Sequence, residues 1–460
     1  MFKYRVKELV KALNGKLIKG NQNEILTGVS TDTRKLIDED IFVALKGTNF
    51  DAHNILDNNS KKDIKAVIVE KDIESDYPCI IKVDDTTKAL QEMAKFHRIN
   101  HDDVKVIGIT GSSGKTSTKD ILFNILKEKF NVKKSKGNLN NHIGVPLTLF
   151  RINGNEDIFI VEMGMSHFGE IKLLSEIANP QIGLITNIGR AHTEFFDSVE
   201  EIARAKGELI ESLGNNDLAV LNYDNEYTKI LNDLLSEETR VLYFGFDKKA
   251  DFYINDFNYL DDGMEFELGT NDFLNTFKTN LYGKHNLYNI ISAVTVARNL
   301  NLEWDLIKKS LKKIYLTGLR SEIENIKGIK FIKDCYNANP SSMKNALDML
   351  KNISGNKKIA VLADMLELGE IKKKAHQEIG TCVAKSGIDY LITNGELGKY
   401  ISESALESNM DFNNVKHFKR KEEIPKFLDE IIEKDDIVLL KGSRGMQLET
   451  IYQEFIGEKD

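Results

Sequence analysis

The sequence predicts an α/β fold with three domains, arranged around a central, mostly parallel sheet. Its length of 460 residues is about that of three domains. Most of the chain alternates short apolar runs with amphipathic stretches, a pattern typical of parallel strands covered by helices on both faces. At Val104–Asp120 an apolar, β-branched run leads through a glycine turn directly into a helical pattern.

The turn within Val104–Asp120 has the composition of a phosphate-binding loop. Glycines let backbone N–H groups curl around a phosphate, and a helix N-terminus adds free donors and the positive end of a dipole. Lys115 can reach the β- and γ-phosphates, and the Thr116 hydroxyl can ligate Mg²⁺. Only two residues separate the glycines, whereas the common pattern has four, which favours a subfamily over a generic NTPase. An ordinary βα turn is the alternative. The loop residues are Gly111, Ser112, Ser113, Gly114, Lys115, Thr116 and Ser117.

The bulk composition narrows the class of protein. It is that of a globular chain, with 41% hydrophobic and 29% charged residues. The net charge of −8 offers no basic footprint for nucleic acid or an anionic membrane, and no apolar run approaches membrane-spanning length. The N-terminal residues lack the apolar centre of a secretory signal. Cys79, Cys335 and Cys382 are odd in number and not in metal spacing, which fits reduced thiols in a cytoplasm.

Three segments are expected, with boundaries at residues 1–83, 84–315 and 316–460. A helix is predicted over Phe2–Leu13 and another over Asp84–Arg98. A polar and aromatic alternation over Asp251–Phe277 predicts antiparallel strands, read as an insertion. The other predicted strands are Ile41–Leu45, Ala66–Val69, Cys79–Val83, Ile158–Glu162, Ile182–Ile188, Leu218–Asn222, Ile329–Asp334, Ile359–Ala363, Tyr390–Thr393 and Ile437–Leu440.

Residues that follow the predicted strands are the first candidates for a site, because ligands of such sheets gather at the carboxyl ends of the strands. Glu162 ends one strand and is a natural Mg²⁺ ligand beside ATP. His192 lies on a loop after the next strand, although a lone histidine is more often structural or solvated. Lys206 falls on a predicted helix, where a lysine is ordinarily solvated. Asp334 and Asn337 follow a strand of the last segment, which therefore offers a second ligand face.

Polar loops supply further candidates. Asn138 and Asn141 lie in an amide-rich loop that suits a polar substrate, with turn formation as the alternative. Asn286 and Asn289 are three residues apart and therefore share one face of a helix. Their two side-chain amides suit hydrogen bonding to the edge of an adenine base, and capping of the helix is the alternative. Two polar loops of the first segment, taken together, suit binding of the uracil and phosphates of a nucleotide. Taken alone, each is an ordinary loop with capping residues, and the residues leave both interpretations open. Their candidates are Ser30, Thr31 and Arg34 in one loop, and Lys46, Gly47, Phe50 and His53 in the other.

Several motifs together resemble the Mur ligases, the ATP-dependent amide-forming enzymes of peptidoglycan precursor synthesis. The DCYNANP and EMGM forms are similar to the member that adds D-alanyl-D-alanine to UDP-N-acetylmuramoyl-tripeptide. Departures are small: Ser113 stands where many relatives have Asn, and Thr193 stands where Leu is frequent. The matching segments, in order along the chain, are TGSSGKTS, NLNNHIGVPLTL, EMGMSHFGEI, ITNIGRAHTEFF, RAKGEL, GKHNLYNIISA, DCYNANPSSM, ADMLELGE and KGSRGMQLE.

The resemblance implies a reaction and a division of labour among the domains. ATP phosphorylates the terminal carboxylate of the tripeptide, and the amine of the dipeptide attacks the resulting acyl phosphate. The first domain binds the UDP moiety, the central domain binds ATP, and a Rossmann-like C-terminal domain closes over the site. The expected protein is a cytoplasmic monomer. A sister ligase for another amino acid or for folate, a nucleotide kinase and a nucleotide-sensing scaffold are the competing readings.

The resemblance also assigns roles to single residues. Lys115 would hold the β- and γ-phosphates. Thr116 and Glu162 would ligate one Mg²⁺, and His192 and Lys206 a second, with Lys206 carbamylated because an ammonium cannot bind a cation. The remaining assignments are Asn286 and Asn289 to adenine, Arg320 and Asp334 to ATP from the third domain, Asn138 and Asn141 to the muramoyl-peptide, and Asn337 to the dipeptide.

Overall fold

The structure, a computed structural model, describes residues 2–32, 34, 41–56, 64–73, 76–190 and 194–457. Three large sheets follow one another along the chain, helices cover them, and a two-stranded ribbon accompanies the first. This arrangement confirms the predicted three-part α/β fold. Among the described residues, no helix is long and apolar enough to cross a membrane.

The N-terminal part contains a five-stranded sheet and a two-stranded ribbon. The prediction of a single helix over Phe2–Leu13 is wrong at its start. Buried Phe2 and Val6 alternate with exposed Lys3 and Arg5, so the first residues form a strand that pairs antiparallel with a later one. The elements are β1 Lys3–Arg5, α1 Val6–Ala12, β2 Lys16–Lys19, β3 Ile25–Thr27, β4 Val29–Ser30, β5 Ile41–Val43, a 3-10 turn Ala52–Ile55, β6 Ala66–Val69 and β7 Cys79–Lys82, with sheet order β2-β7-β6-β5-β4.

The central part contains a nine-stranded sheet. Asp251–Phe277 forms antiparallel strands as predicted, but they extend this sheet rather than forming a separate insertion. The elements are α2 Thr86–Ile99, β8 Lys105–Thr110, α3 Lys115–Leu126, β9 Val132–Lys134, α4 Gly144–Leu149, β10 Ile158–Glu162, α5 Glu170–Ala178, β11 Ile182–Ile185, α6 Val199–Glu211, β12 Leu218–Asn222, α7 Thr228–Asn232, β13 Arg240–Gly245, β14 Phe252–Leu260, β15 Gly263–Thr270, β16 Phe273–Thr279, α8 Lys284–Asn299 and α9 Trp304–Leu311, with sheet order β16-β15-β14-β13-β12-β11-β8-β10-β9.

The C-terminal part contains a six-stranded sheet that is parallel except for its first strand. The predicted strands of this part are present, with ends shifted by at most one residue. The elements are β17 Glu322–Ile326, β18 Ile329–Asp334, α10 Pro340–Asn352, β19 Lys358–Leu362, α11 Lys372–Lys385, β20 Tyr390–Asn394, α12 Gly398–Glu407, β21 Val415–Phe418, α13 Ile424–Ile431, β22 Ile437–Lys441 and α14 Glu449–Ile456, with 3-10 turns at Gly369–Ile371, Phe412–Asn414, Lys421–Glu423 and Arg444–Met446 and sheet order β17-β18-β22-β19-β20-β21.

Strand β8 lies inside the central sheet and positions the site. It pairs in parallel with β10 on one side and β11 on the other. Ile107 and Ile109 pack into one apolar core and Val106 into another, so both faces of the strand are covered. The carboxyl ends of β8, β10, β11 and β12 therefore lie along one edge of the sheet, and the loops that follow them share a surface.

His97 on α2 joins the N-terminal ribbon to the central part. Its Nε2 donates to the carbonyl of Ile152, 2.9 Å away, and its Nδ1 accepts from the hydroxyl of Tyr4, also 2.9 Å away. The neutral ring satisfies both bonds, whereas a protonated ring has no acceptor to offer Tyr4. Burial, as the largest effect, lowers the pKa of His97 to about 4.

Acid should therefore weaken the fold through His97. Its pKa is lower in the folded protein than in the unfolded chain, so its contribution is present above about pH 6.5 and is lost as the pH falls towards 4. The loss is roughly 3 kcal/mol by pH 4, because one pKa unit corresponds to about 1.4 kcal/mol. Measuring the urea midpoint against pH checks this.

The variant His97→Gln should flatten that pH dependence. A residual slope should remain from other groups, among them the partly buried His285, whose pKa desolvation also lowers to about 4. The exposed His142 provides the matched control. His142→Gln should keep the slope of the unmodified protein, and an unchanged slope in His97→Gln would contradict this role for His97.

Candidate active site

The loop between β8 and α3 needs its two glycines. Gly111 has φ +149° and Gly114 has φ +80°, values that side chains disfavour. A Cβ at Gly111 would lie 2.0 Å from Thr186 Oγ1, and one at Gly114 would lie 2.4 Å from Asn289 Oδ1. The loop therefore depends on glycine both for its conformation and for the close approach of two neighbouring elements.

The loop after β11 braces the glycine loop. Ser112 Oγ donates to the Gly189 carbonyl at 2.9 Å and accepts from the Gly189 N–H at 3.0 Å. Thr186 Oγ1 donates to the Ser113 carbonyl at 2.6 Å, and Asn187 Oδ1 accepts from the Ser113 N–H at 3.1 Å. Helix α3 begins directly after this loop, with Lys115, Thr116 and Ser117. The backbone N–H groups of these first residues have no carbonyl of their own helix as a hydrogen-bond acceptor. The conformation leaves these donors available to an anion.

Lys115 folds back over its own loop. Its ammonium donates to the Gly111 carbonyl at 2.7 Å. Burial lowers the pKa of Lys115, and the positive charge of Arg320 lowers it further, whereas Glu162 acts in the opposite direction. Two cations that face each other across this space favour a polyanionic occupant such as a triphosphate.

The sequence-predicted pair Thr116 and Glu162 lies together. Thr116 Oγ1 donates to Glu162 Oε2 at 2.8 Å, and the carboxylate is buried. Lys119 Nζ also lies 2.8 Å from Oε2, and Asn140 Nδ2 donates to Oε1 at 3.0 Å. Burial raises the pKa of Glu162, but Lys119, Lys115 and the Thr116 hydrogen bond together outweigh that effect and hold the pKa below its ordinary value.

Sequence reasoning missed Lys119 and Asn140 as site residues. Lys119 lies three residues after Thr116, so helical spacing alone puts both on one face of α3, and that signal was available. The amide loop was recognised, but its candidates were Asn138, which is exposed, and Asn141, whose Oδ1 accepts from the Ile143 and Gly144 N–H groups. Only the loop geometry distinguishes Asn140 from its neighbours.

Lys206 lies fully buried on α6. Its Nζ has no hydrogen-bond partner, and burial together with the charge of Lys115 lowers the pKa of Lys206 well below its ordinary value. Burial of this kind favours the neutral amine over the ammonium. His192, its predicted partner, lies outside the described residues. Within the described part of the chain, no group of three or more His, Cys, Asp or Glu side chains has the arrangement of a metal site.

Asn286 and Asn289 lie side by side at the start of α8, as their spacing predicts. Both are buried, and Asn289 Nδ2 donates to Asn286 Oδ1 at 3.1 Å. Asn286 Nδ2 donates to the Tyr282 carbonyl at 2.8 Å, and Thr118 Oγ1 on α3 donates to Asn289 Oδ1 at 3.3 Å. These amides therefore connect α8 to the helix that follows the glycine loop.

The C-terminal part faces this loop with a second set of charges. Arg320 lies with its guanidinium carbon 3.8 Å from the ring centroid of Tyr336, and its buried Nε has no hydrogen-bond partner. Asp334 Oδ2 accepts from Lys441 Nζ at 2.7 Å, and the same ammonium donates to the Asn337 carbonyl at 3.3 Å. Lys441, the first residue of the matching segment KGSRGMQLE, thus holds Asp334 at the strand ends.

A cleft of about 1040 Å³ lies between these two faces. Its size suits a nucleotide together with part of a second substrate. It brings together most of the sequence-predicted candidates of the central and C-terminal parts. Those that line it are Ser112, Ser113, Gly114, Lys115, Thr116, Ser117, Asn141, Glu162, Asn286, Asn289, Arg320, Asp334 and Asn337.

The candidates of the N-terminal part do not line that cleft. Arg34 is exposed and pairs with Asp32 at 2.9 Å. His53 is buried, with Nδ1 donating to Asp51 Oδ1 at 2.6 Å and Nε2 accepting from the Glu70 N–H at 3.1 Å, so both ring nitrogens are engaged within the fold. Ser30 is buried at the end of β4, where its hydroxyl bonds to the backbone of Asp32. The other candidates of this part lie at its surface or in local turns: Thr31, Lys46, Gly47 and Phe50.

Comparison with known proteins identifies the family. The family model for the Mur ligase middle domain matches residues 109–297, and the model for the Mur ligase, glutamate ligase domain matches residues 320–444. The chain belongs to the Mur ligase family. The resemblance of the sequence motifs is thereby confirmed, and so is the identification as an ATP-dependent ligase.

Individual Mur ligases match along nearly the whole chain. The UDP-N-acetylmuramoyl-tripeptide–D-alanyl-D-alanine ligase of Bacillus subtilis is 36% identical over 99% of both chains, and that of Escherichia coli is 31% identical over 98% of both. The crystal structure of MurF from Acinetobacter baumannii has a TM-score of 0.91, 29% identity and 99% coverage of both chains. MurF from Thermotoga maritima, solved in complex with ADP, has a TM-score of 0.84, 30% identity, and coverage of 94% of this chain and 98% of that one.

Replacing Lys119 should destabilise the protein through Glu162. The variant Lys119→Met leaves a buried carboxylate without its counter-charge, and breaking such a pair costs about 3–5 kcal/mol. Urea unfolding measures this loss. The double variant Lys119→Met/Glu162→Gln removes both charges and should recover most of the stability. A single variant as stable as the unmodified protein would contradict the pairing.

Proposed function

We propose that this Mur ligase joins D-alanyl-D-alanine to UDP-N-acetylmuramoyl-tripeptide and converts ATP to ADP and phosphate. The observation that carries the proposal is the cleft in which Lys115, Thr116 and Glu162 face Arg320 and Asp334 of the C-terminal part. The names and the full-length coverage of the relatives support the choice of substrates. Peptidoglycan precursor synthesis is the corresponding process, and the proposed location is the cytoplasm.

The proposed chemistry follows from the poor reactivity of a carboxylate. Transfer of the γ-phosphoryl group to the terminal carboxylate of the tripeptide gives an acyl phosphate, whose phosphate is a good leaving group. The dipeptide amine then attacks the carbonyl, and phosphate departs as the amide forms. Catalysis rests on positioning and charge neutralisation. Lys115, at the start of α3, supplies a cation to the β- and γ-phosphates once it leaves the Gly111 carbonyl.

The residues present fit Mg²⁺ beside the nucleotide. A hydroxyl, Thr116, and a buried ionised carboxylate, Glu162, lie 2.8 Å apart at the end of the phosphate loop, and oxygen ligands of this kind are what Mg²⁺ prefers. The ion would neutralise phosphate charge. A second Mg²⁺ is proposed at His192 and a carbamylated Lys206. The buried, unpartnered amine of Lys206 supports carbamylation, because its lowered pKa favours the neutral form and only a neutral amine adds CO₂.

The remaining assignments divide the substrates among the three domains. Their proposed boundaries are 1–83, 84–315 and 316–460. Asn286 and Asn289 would contact adenine, and Arg320 and Asp334 would act on ATP after the domains close, which excludes water from the acyl phosphate. We also propose that Asn138 and Asn141 bind the muramoyl-peptide, that the dipeptide binds near Asn337, and that the protein is a monomer. The residues proposed to bind the UDP moiety are Ser30, Thr31, Arg34, Lys46, Gly47, Phe50 and His53.

Phosphate release tests the proposed reaction. With UDP-N-acetylmuramoyl-tripeptide and ATP present, release should depend on added D-alanyl-D-alanine, and the joined UDP-product should appear by mass spectrometry. L-Alanine, D-alanine and glutamate in place of the dipeptide separate the proposed enzyme from sister ligases. Equal phosphate release with and without the dipeptide, and no joined product, would refute the proposal.

Lys206→Ala should abolish most of the turnover and should regain part of it on addition of a small carboxylate such as acetate or formate. The added carboxylate replaces the oxygen ligands of the carbamate. A ¹³C-carbamate signal from the unmodified protein in ¹³C-bicarbonate, absent in Lys206→Ala, is an independent readout. The exposed Arg204 on the same helix gives the matched control, Arg204→Ala, which should behave as the unmodified protein. Unchanged turnover of Lys206→Ala would remove the lysine from the site.

A further inference from the structure

The connection between α9 and β17, residues 312–321, joins the central domain to the C-terminal domain. Side chains of the central domain bond to its first half. Asn280 accepts from the Ile314 N–H at 2.8 Å and donates to the Ile314 carbonyl at 3.0 Å. Asn124, on α3, donates to the Tyr315 carbonyl at 3.2 Å. The connection is therefore attached to the central domain well beyond the end of α9.

The last of these attachments is the carboxylate of Asp120. Thr317 donates to Asp120 Oδ2 twice, from its N–H at 2.8 Å and from its hydroxyl at 2.6 Å. The other oxygen, Oδ1, lies 2.6 Å from Lys134 Nζ. Asp120 is fully buried, so its charge needs these partners. It has no place in the reaction described above, yet it lies on α3, the helix that begins with Lys115.

The chain bends sharply immediately after Thr317. Gly318 has φ +70°, Leu319 has φ +51° and Ser321 has φ +50°. Two of these three residues carry side chains, and left-handed conformations at such positions persist only where the surroundings hold them. Arg320 lies within this bend and reaches into the cleft. The attached half of the connection and the bent half thus meet between Thr317 and Gly318.

We infer that Asp120 is a positioning residue, which ties Thr317 to the phosphate-loop helix so that Arg320 enters the cleft from a fixed point relative to Lys115. The C-terminal domain then turns about residues 318–321, and the starting point of the bend does not move with it. The effect on turnover rests on the proposed function. The effect on the arrangement of the two domains does not.

Two substitutions at Thr317 isolate the hydroxyl contact. The Thr317 side chain is exposed, so Thr317→Val keeps its shape and removes one donor without disturbing a core, whereas Thr317→Ser keeps the donor. Thr317→Val should lower kcat about tenfold, equivalent to about 1.4 kcal/mol in the barrier, with less than a twofold change in KM for ATP. Thr317→Ser should stay within twofold of the unmodified protein. Equal kcat for all three proteins would overturn the inference.

The same substitution in a second background shows whether the contact acts through Arg320. Arg320→Lys keeps a cation but loses the fixed geometry of the guanidinium. Adding Thr317→Val to Arg320→Lys should then cost less than twofold, because the group being positioned is already altered. A further tenfold loss in that background would mean that the contact acts elsewhere, and the inference would fail.

A distance measurement tests the inference without any turnover. Nitroxide labels at Lys248→Cys and Lys419→Cys occupy exposed positions in the central and C-terminal domains, with the partly exposed Cys382 changed to Ser and the buried Cys79 and Cys335 retained. In the ligand-free protein, Thr317→Val should broaden the distance distribution relative to both the unmodified protein and Thr317→Ser. Three identical distributions would overturn the role of the Asp120 contact, even if the protein proved to be a different ligase.

Discussion

The buried carboxylate of Glu162 is the constraint around which the site is built. A charge with so little solvent access has to be compensated by nearby donors, and three side chains from two places in the chain supply them. Thr116 and Lys119 approach from α3, and Asn140 approaches from the loop before α4. Satisfying one carboxylate therefore fixes a strand end, a helix and a loop relative to one another, and it leaves an ionised group beside the phosphate loop.

Close contact between backbone and side chain fixes the rest of the loop. Because Gly111 and Gly114 have no Cβ, Thr186 and Asn289 lie where side chains would otherwise stand. The loop after β11 and the start of α8 consequently pack against the phosphate loop and restrict its conformation. The shortened glycine spacing is understandable in this setting, since the loop takes its shape partly from its neighbours.

Local patterns in the sequence predicted the parts of the fold whose causes are local. Ala66–Val69, Ile158–Glu162 and Leu218–Asn222 were predicted with the observed ends, because nearly continuous apolar runs between polar residues mark buried parallel strands. Ile329–Asp334 was also predicted with the observed ends, although lysines interrupt its apolar residues. The strand Lys3–Arg5 was missed because a helix and a strand both accommodate such a short alternation, and only its pairing with Ile25–Thr27 decides between them.

In the site, the residues of the glycine loop and Glu162 carry a recognisable pattern, whereas their partners do not. Asn140 is distinguished from two neighbouring asparagines only by where its loop folds, and the pairing of Lys441 with Asp334 joins strands that are far apart in sequence. Such contacts follow from tertiary structure, and periodicity carries no information about them.

The internal position of β8 also has a consequence for how the protein is made. Its two neighbours, β10 and β11, are both encoded after it, with several helices between. During synthesis the strand that precedes the phosphate loop therefore stays without complete pairing until Ile185 has left the ribosome. Non-local pairing of this kind is slow, and an apolar strand with open edges is a template for aggregation in the meantime. The element that organises the finished enzyme is thus incompletely paired, and open to aggregation, while the chain is still being synthesised.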